Sequence, residues 1–236
     1  MKLITWNCQG AFRKKADIIL VHEPDIVVVQ ECENPEKLVF NSKTQKPNDF
    51  VWFGDNPHKG VGIFSYSDFK FEPLEHNTDI KQILPVSVKN EQIGFTLFAV
   101  WANHPNDSDG RYVEQVWKAV NHYEELLSEG QVILTGDFNS NKIWDKEHKK
   151  GSHSDVVKKL AEKNIWSAYH KYLEQGQGKE EHPTFFLHRN MEKPYHLDYC
   201  FTSKELYEKI KSVEVGTHED WTAHSDHTPL IVHFDL

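Results

Sequence analysis

Four short polar clusters stand beside the ends of apolar runs in this sequence, and their residue types suit metal or phosphate chemistry. They are Trp6-Asn7-Cys8-Gln9-Gly10, Gln30-Glu31, Gly136-Asp137-Phe138-Asn139-Ser140 and His224-Ser225-Asp226-His227. Each also has an ordinary reading. Asn7 alone reads as a turn residue closing a strand. Glu31 closely follows Ile26-Val27-Val28-Val29, where an unpaired carboxylate carries a desolvation cost of several kcal/mol unless a cation or donor meets it. In the third cluster an apolar strand runs into a glycine, then a carboxylate and an amide two residues apart. If the chain stays extended, period two puts Asp137 and Asn139 on one face. A carboxylate there can orient and deprotonate water while the amide holds a phosphoryl oxygen. The competing reading is an Asx turn after the strand. Asp226 and His227 form an acid–imidazole pair just ahead of another strand, and fifteen histidines make chance pairs common. Asp198, in Leu197-Asp198-Tyr199-Cys200-Phe201, is a further carboxylate able to hold a histidine in one tautomer.

The elements that must position these groups follow from periodicity. Runs rich in Val, Ile and Phe predict strands over Leu3–Asn7, Ile26–Gln30, Gly60–Tyr66, Val86–Lys89, Phe95–Trp101, Val132–Gly136, Leu197–Phe201 and Leu230–Phe234. Apolar residues at three- and four-residue steps predict a helix over Val113–Leu127, ended by Gly130. A second is expected over Asp155–Lys163, with Ser152 or Ser154 as the N-cap, and a third over Ala16–His22. The alternation is that of an α/β protein. No repeat or Pro/Gly/Ser-rich linker divides residues 1–236, so one domain is expected.

Composition bounds the function. The 27 basic and 36 acidic residues leave a formal net charge of −9, which argues against a broad, sequence-blind grip on nucleic acid. A local basic patch is compatible with it. No run of about 18 apolar residues and no secretory pattern is visible, so no membrane segment is expected and the simplest location is cytoplasmic. Cys8, Cys32 and Cys200 have no CxxC pairing and read as packing residues.

The ordered set Ile4-Thr5-Trp6-Asn7, Gln30-Glu31, Gly136-Asp137-Phe138-Asn139, Leu197-Asp198-Tyr199 and Ser225-Asp226-His227 resembles the endonuclease/exonuclease/phosphatase superfamily, also called deoxyribonuclease-I-like. The match runs from the first strand to the last. The resemblance implies a four-layer α/β sandwich, two facing mixed sheets flanked by helices. It also implies Glu31 as the principal metal carboxylate, with Asn7 and Asp226 as direct or water-mediated ligands of magnesium, for which manganese can substitute. An all-oxygen set with few protein ligands independently suits such a hard cation. By the same resemblance Asp137 positions the attacking water and Asn139 holds a phosphoryl oxygen. His227, oriented by Asp198, stabilises charge on the phosphorane-like transition state.

One departure concerns the phosphate contact. Many relatives end the strand equivalent to Phe98–Trp101 with a His or Tyr that touches phosphate, whereas Trp101 stands here; Trp101, His104 and Arg111 are the candidate substrate contacts. The resemblance implies phosphoester hydrolysis and leaves the substrate open between nucleic acid (DNA or RNA) and a small phosphoester. Lys14, Lys15, Lys142, Lys146, Lys149 and Lys150 lie close in sequence to the first and third motifs and can line a groove or simply be solvated. Trp52, Trp144, Trp166 and Trp221 can stack bases if exposed. A catalytically silent scaffold is disfavoured, since a scaffold has no physical need for so many acids around one point. Oligomeric state is not legible.

Overall fold

The computed structural model describes residues 1–37, 44–103 and 110–236. In chain order its strands are β1 (Lys2–Asn7), β2 (Ile26–Cys32), β3 (Asp49–Asn56), β4 (Lys59–Ser65), β5 (Lys70–Pro73), β6 (Ile83–Lys89), β7 (Gly94–Trp101), β8 (Val132–Asp137), β9 (Ile165–Ser167), β10 (Phe185–Phe186), β11 (Pro194–Tyr195), β12 (Asp198–Ser203), β13 (Ile210–Val215) and β14 (Leu230–Phe234). The helices are α1 (Ala16–Leu20), α2 (Val113–His122), α3 (His153–Ala161), α4 (Ala168–Tyr172), α5 (Lys204–Tyr207) and α6 (His218–Trp221). None is long and apolar enough to cross a membrane.

Period-two alternation decides how the strands pack. Leu3, Ile26 and Val28 point into one apolar cluster while Ile4, Trp6, Val27 and Val29 point into another. On the other side, Leu97, Ala99 and Trp101 join the first cluster and Phe98 and Val100 a third. Strands apolar on both faces must be covered on both faces. The result is two mixed six-stranded sheets, ordered β13-β14-β1-β2-β4-β3 and β5-β6-β7-β8-β12-β9, with β10-β11 as a separate hairpin. The first cluster fills the space between the sheets. The outer face of the second sheet packs on α2 and α3 through Val116, Val120, Val156 and Leu160, and the outer face of the first packs on Ile19 of α1 and Trp221 of α6. This is the four-layer sandwich expected from the sequence.

Two boundaries differ instructively. Helix α2 stops at His122, although the apolar stripe continues; Tyr123 and Leu127 stay buried in the turns that follow. Helix α3 begins at His153, because Ser152 and Asp155 close a reciprocal capping box, which satisfies two of the end's orphan amides. Cys8, Cys32 and Cys200 are buried and unbridged, as packing residues should be.

Candidate active site

The parallel pairs β1–β2 and β7–β8 bring the ends of both sheets to one place. Gly136 makes the close approach possible. Its φ is +143°, and a Cβ there would lie 1.9 Å from the carbonyl oxygen of Val100 and 2.9 Å from Nε2 of Gln30 across the interface, so only glycine fits. Asp137 follows, fully buried, and pairs in register with Asp198 of antiparallel β12. From the other sheet, Nδ2 of Asn7 donates to Asp137 Oδ2 at 3.0 Å. The backbone N–H of Asn139 donates to Asp137 Oδ1 at 2.8 Å and its Nδ2 to Oδ2 at 3.0 Å. Asn139 has φ +46°. The Asx turn and the paired carboxylate and amide are thus one structure: the chain leaves the extended conformation, and the turn itself brings the two side chains together.

His227 completes the group. Its Nδ1–H donates to Asp198 Oδ2 at 2.8 Å, which aims Nε2 towards Asp137 Oδ2, 3.9 Å away. That distance is too long for a direct hydrogen bond, so the Nε2–H remains available to another acceptor. The segment before it is pinned to β1, since Ser225 Oγ donates to the carbonyl of Asn7 at 2.7 Å and accepts from His227 N at 3.0 Å. Trp6 Nε1 donates to the carbonyl of His227 at 3.0 Å. Thr184 Oγ1 accepts the amides of both Leu197 and Asp198, at 2.9 and 3.0 Å.

The electrostatics follow from burial and company. Burial by itself lowers the pKa of His227, but the carboxylates of Asp198 and Asp137 outweigh it and raise the value to about 10. The imidazole therefore stays charged through neutrality. Asp137 moves upwards, chiefly because it is buried and secondarily because of Asp198, with His227 and the donors from Asn7 and Asn139 opposing. An uplifted carboxylate is better matched to accepting a proton near neutral pH.

Among the described residues, Asp137, Asp198 and His227 form the one group of three or more acidic, imidazole or thiol side chains whose ligand atoms lie within 4.8 Å of one another. Glu31 and Asp226, expected as metal ligands, lie outside it. Glu31 occupies a β-bulge between Gln30 and Cys32 with φ +57°, and its half-buried carboxylate is met by Nζ of Lys59 at 2.6 Å. The sequence argument asks for a cation or donor at Glu31, and the Lys59 ammonium is one such partner. Asp226 is half-buried, its carbonyl accepting from Phe186 N at 2.8 Å. Oδ1 of Asp198 is buried with no hydrogen-bond partner, and the acids at this end outnumber the nearby imidazolium. Oxygen donors in negative excess fit a hard divalent cation that retains several waters.

The expected phosphate contacts separate. Trp101 is 4% exposed and belongs to the core between the sheets, which corrects its assignment as a substrate contact: it ends β7 on an inward-facing position. His104 lies outside the described residues. Arg111 is exposed and lines a groove with Asn139, Ser140, Trp144, Lys146 and Lys149. Of the other tryptophans, Trp221 is buried, Trp52 donates to the carbonyl of Cys32 at 3.0 Å, and Trp166 carries the ammonium of Lys171 4.0 Å from its ring centre. Lys15 donates to the carbonyl of Cys8 at 2.6 Å, so half of the first basic pair is committed to the fold.

Sequence reasoning missed Asn141, Glu180 and Thr184. Asn141 is 2% exposed, and its Nδ2 donates to Glu180 Oε2, the carbonyl of His196 and Tyr199 Oη at 3.1, 3.0 and 3.3 Å. Glu180 is also held by His170 Nε2 at 2.8 Å and the amide of Gly178 at 2.8 Å. Burial opposes its ionisation, yet these donors lower its pKa to about 2. This network anchors the loop that carries Asn139. The one local signal was the repeated Asn in Asn139-Ser140-Asn141; Glu180 sits in a polar stretch with no periodicity to mark it.

Comparison with known proteins agrees with this fold. The chain is similar in fold to the 3′ phosphatase NExo from Neisseria bound to product DNA hairpin, at 20% identity and a TM-score of 0.69, covering all of both chains. It is similar to the 3′-5′ exonuclease NExo from Neisseria meningitidis, at 20% identity and 0.67, again over all of both chains. The endonuclease domain of TRAS1, a telomere-specific non-LTR retrotransposon, matches at 16% identity and 0.66, over 99% of this chain and 97% of that one. No curated protein matches the sequence. The family model described as Endonuclease/Exonuclease/phosphatase family matches residues 4–227, nearly the whole span from β1 to His227, and the chain belongs to that family.

Proposed function

We propose that this protein is a divalent-metal-dependent phosphodiesterase that cleaves nucleic acid by attack of water on phosphorus. The observation that carries the reading is the buried constellation in which Asp137, braced by Asn7 and Asn139, faces the charged edge of His227. Burying two register-paired carboxylates, Asp137 and Asp198, is costly, and a fold kept only as a scaffold would gain nothing from it.

In this reading Asp137 orients the attacking water and takes its proton at one carboxylate oxygen. Asn139 uses one amide N–H on Asp137 and offers the other to a non-bridging phosphoryl oxygen. His227, its ring direction set by Asp198, presents Nε2–H to the oxygen on which negative charge grows. That donor is in place before reaction and costs no reorganisation, which is where such groups are worth most. Glu31, Asp226 and the side-chain oxygen of Asn7 would hold magnesium or manganese, which supplies Lewis-acid stabilisation of charge on the phosphoryl group. Lys59 must then give up Glu31 or share it.

The nucleic-acid assignment is supported by the structural neighbours, which are a 3′ phosphatase bound to a product DNA hairpin, an exonuclease and an endonuclease domain, and by the cations lining the groove beside Asn139. A substrate panel tests it: plasmid, abasic duplex, single-stranded DNA, RNA, and small mono- and diesters, each with magnesium, manganese or chelator. Metal-dependent turnover of a polynucleotide well above that of any small ester is the expected outcome; preference for a small ester would replace this reading with a phosphatase.

A further inference from the structure

Beside Asn139 a groove of about 290 Å³ runs between the start of α2 and the segment following β8. Asn139, Ser140 and Asn141 line it, and Asn139 is hydrogen-bonded to Asp137, so on the catalytic reading above whatever fills it lies alongside the reacting phosphate. Seven large apolar side chains are exposed among the described residues, and two of them, Trp144 at 48% and Tyr112 at 38%, line this groove. The Trp144 ring is supported by Tyr195, at 5.1 Å between centres. An exposed, supported indole is a platform in need of a flat partner.

The charges narrow the partner. The carboxylate of Glu114 is engaged by Lys149 and by the amide of Arg111 at 2.7 Å. Both oxygens of Asp145 accept backbone amides of α3, from His153 at 2.9 Å and Ser154 at 3.0 Å. Arg111 and Lys146 carry no ion pair among the described residues, so this wall is locally cationic on a chain of net charge −9. Aromatic faces flanked by uncommitted cations are how single-stranded nucleic acid is held. The volume, near the lower end of small-ligand pockets, suits one planar base and not a length of strand.

We propose that the groove binds the unpaired nucleobase of a nucleotide next to the cleaved phosphoester, stacked on Trp144, with Arg111 and Lys146 on the adjoining phosphates. The inference rests on the nucleic-acid reading above and narrows it to single-stranded or frayed substrate, because a base stacked inside a duplex cannot enter.

Equilibrium binding tests it without requiring turnover. Fluorescence anisotropy in chelator compares a short labelled single strand, the same strand with every base removed, and a blunt duplex. The protein should bind the base-bearing strand about tenfold or more tightly than the abasic one. Trp144→Ala should abolish that preference while Trp144→Phe retains most of it. Lys146→Ala should weaken both strands alike and reduce the salt dependence by about one counterion. Equal affinity for the two strands, no measurable binding of either, or a preference that survives Trp144→Ala overturns the proposal. Failure of the catalytic reading shows separately, as no metal-dependent cleavage of the base-bearing strand whatever its affinity.

Discussion

Asn7 ends the first strand of one sheet and Asp137 ends a strand of the other, and the 3.0 Å hydrogen bond between them ties the two halves of the sandwich together at the candidate site. The bond gives a buried carboxylate a donor and directs its remaining lone pairs. Asn7→Ala should therefore lower turnover by roughly a hundredfold or more and cost about 1.5–3 kcal/mol of stability, the range for losing a hydrogen bond to a charged group. Urea unfolding together with kinetics checks both; a variant that keeps full turnover would reduce Asn7 to a strand-closing turn residue.

Asp137→Asn and Asn139→Ala should each depress the turnover number by about a hundredfold or more with little change in Michaelis constant, since their proposed work is done mainly in the transition state. Losses confined to the Michaelis constant would assign both residues to uniform substrate binding.

His227 and Asp198 should behave as one unit. With the folded-state pKa raised to about 10 from an ordinary 6.5, the protonated ring favours the folded protein. That contribution is complete below about pH 6.5 and is lost as pH rises through about 10. NMR titration of the metal-free protein should show the high value, and Asp198→Asn should lower it. In the double-mutant cycle, adding Asp198→Asn to His227→Ala should cost little more activity than His227→Ala alone; additive losses would separate the two residues.

Much of this site could be read from the chain because its residues sit where an apolar strand stops. Val132-Ile133-Leu134-Thr135 announces a buried strand, and Gly136-Asp137 an abrupt approach to something polar. Edge strands gave no such signal: β5 reads Lys70-Phe71-Glu72-Pro73 and β13 reads Ile210-Lys211-Ser212-Val213-Glu214-Val215, polar enough to pass for loops because one side of each faces solvent. Long-range partners were invisible for a different reason. Lys59 meets Glu31 across 28 residues and Asn141 meets Glu180 across 39, and neither pairing leaves a local pattern. Trp101 was misjudged because strand-end position was weighed without its parity, which turns it into the core.

Glu31→Gln should abolish metal-dependent activity and leave the fold intact. In the parent, magnesium or manganese should raise the melting temperature, since an ion bound only by the folded state stabilises it by mass action; in the variant the rise should shrink or vanish. A near-parental rate at saturating magnesium would remove Glu31 from the metal's ligands.

The most direct measurement is the initial rate of cleavage of a labelled single-stranded oligonucleotide by the parent and by Asp137→Asn, each titrated with magnesium and then treated with chelator. Saturable magnesium dependence in the parent, no cleavage in chelator and a rate lower by at least about a hundredfold in the variant at every metal concentration are predicted. Cleavage that persists in chelator, or that is undiminished by Asp137→Asn, would contradict the account.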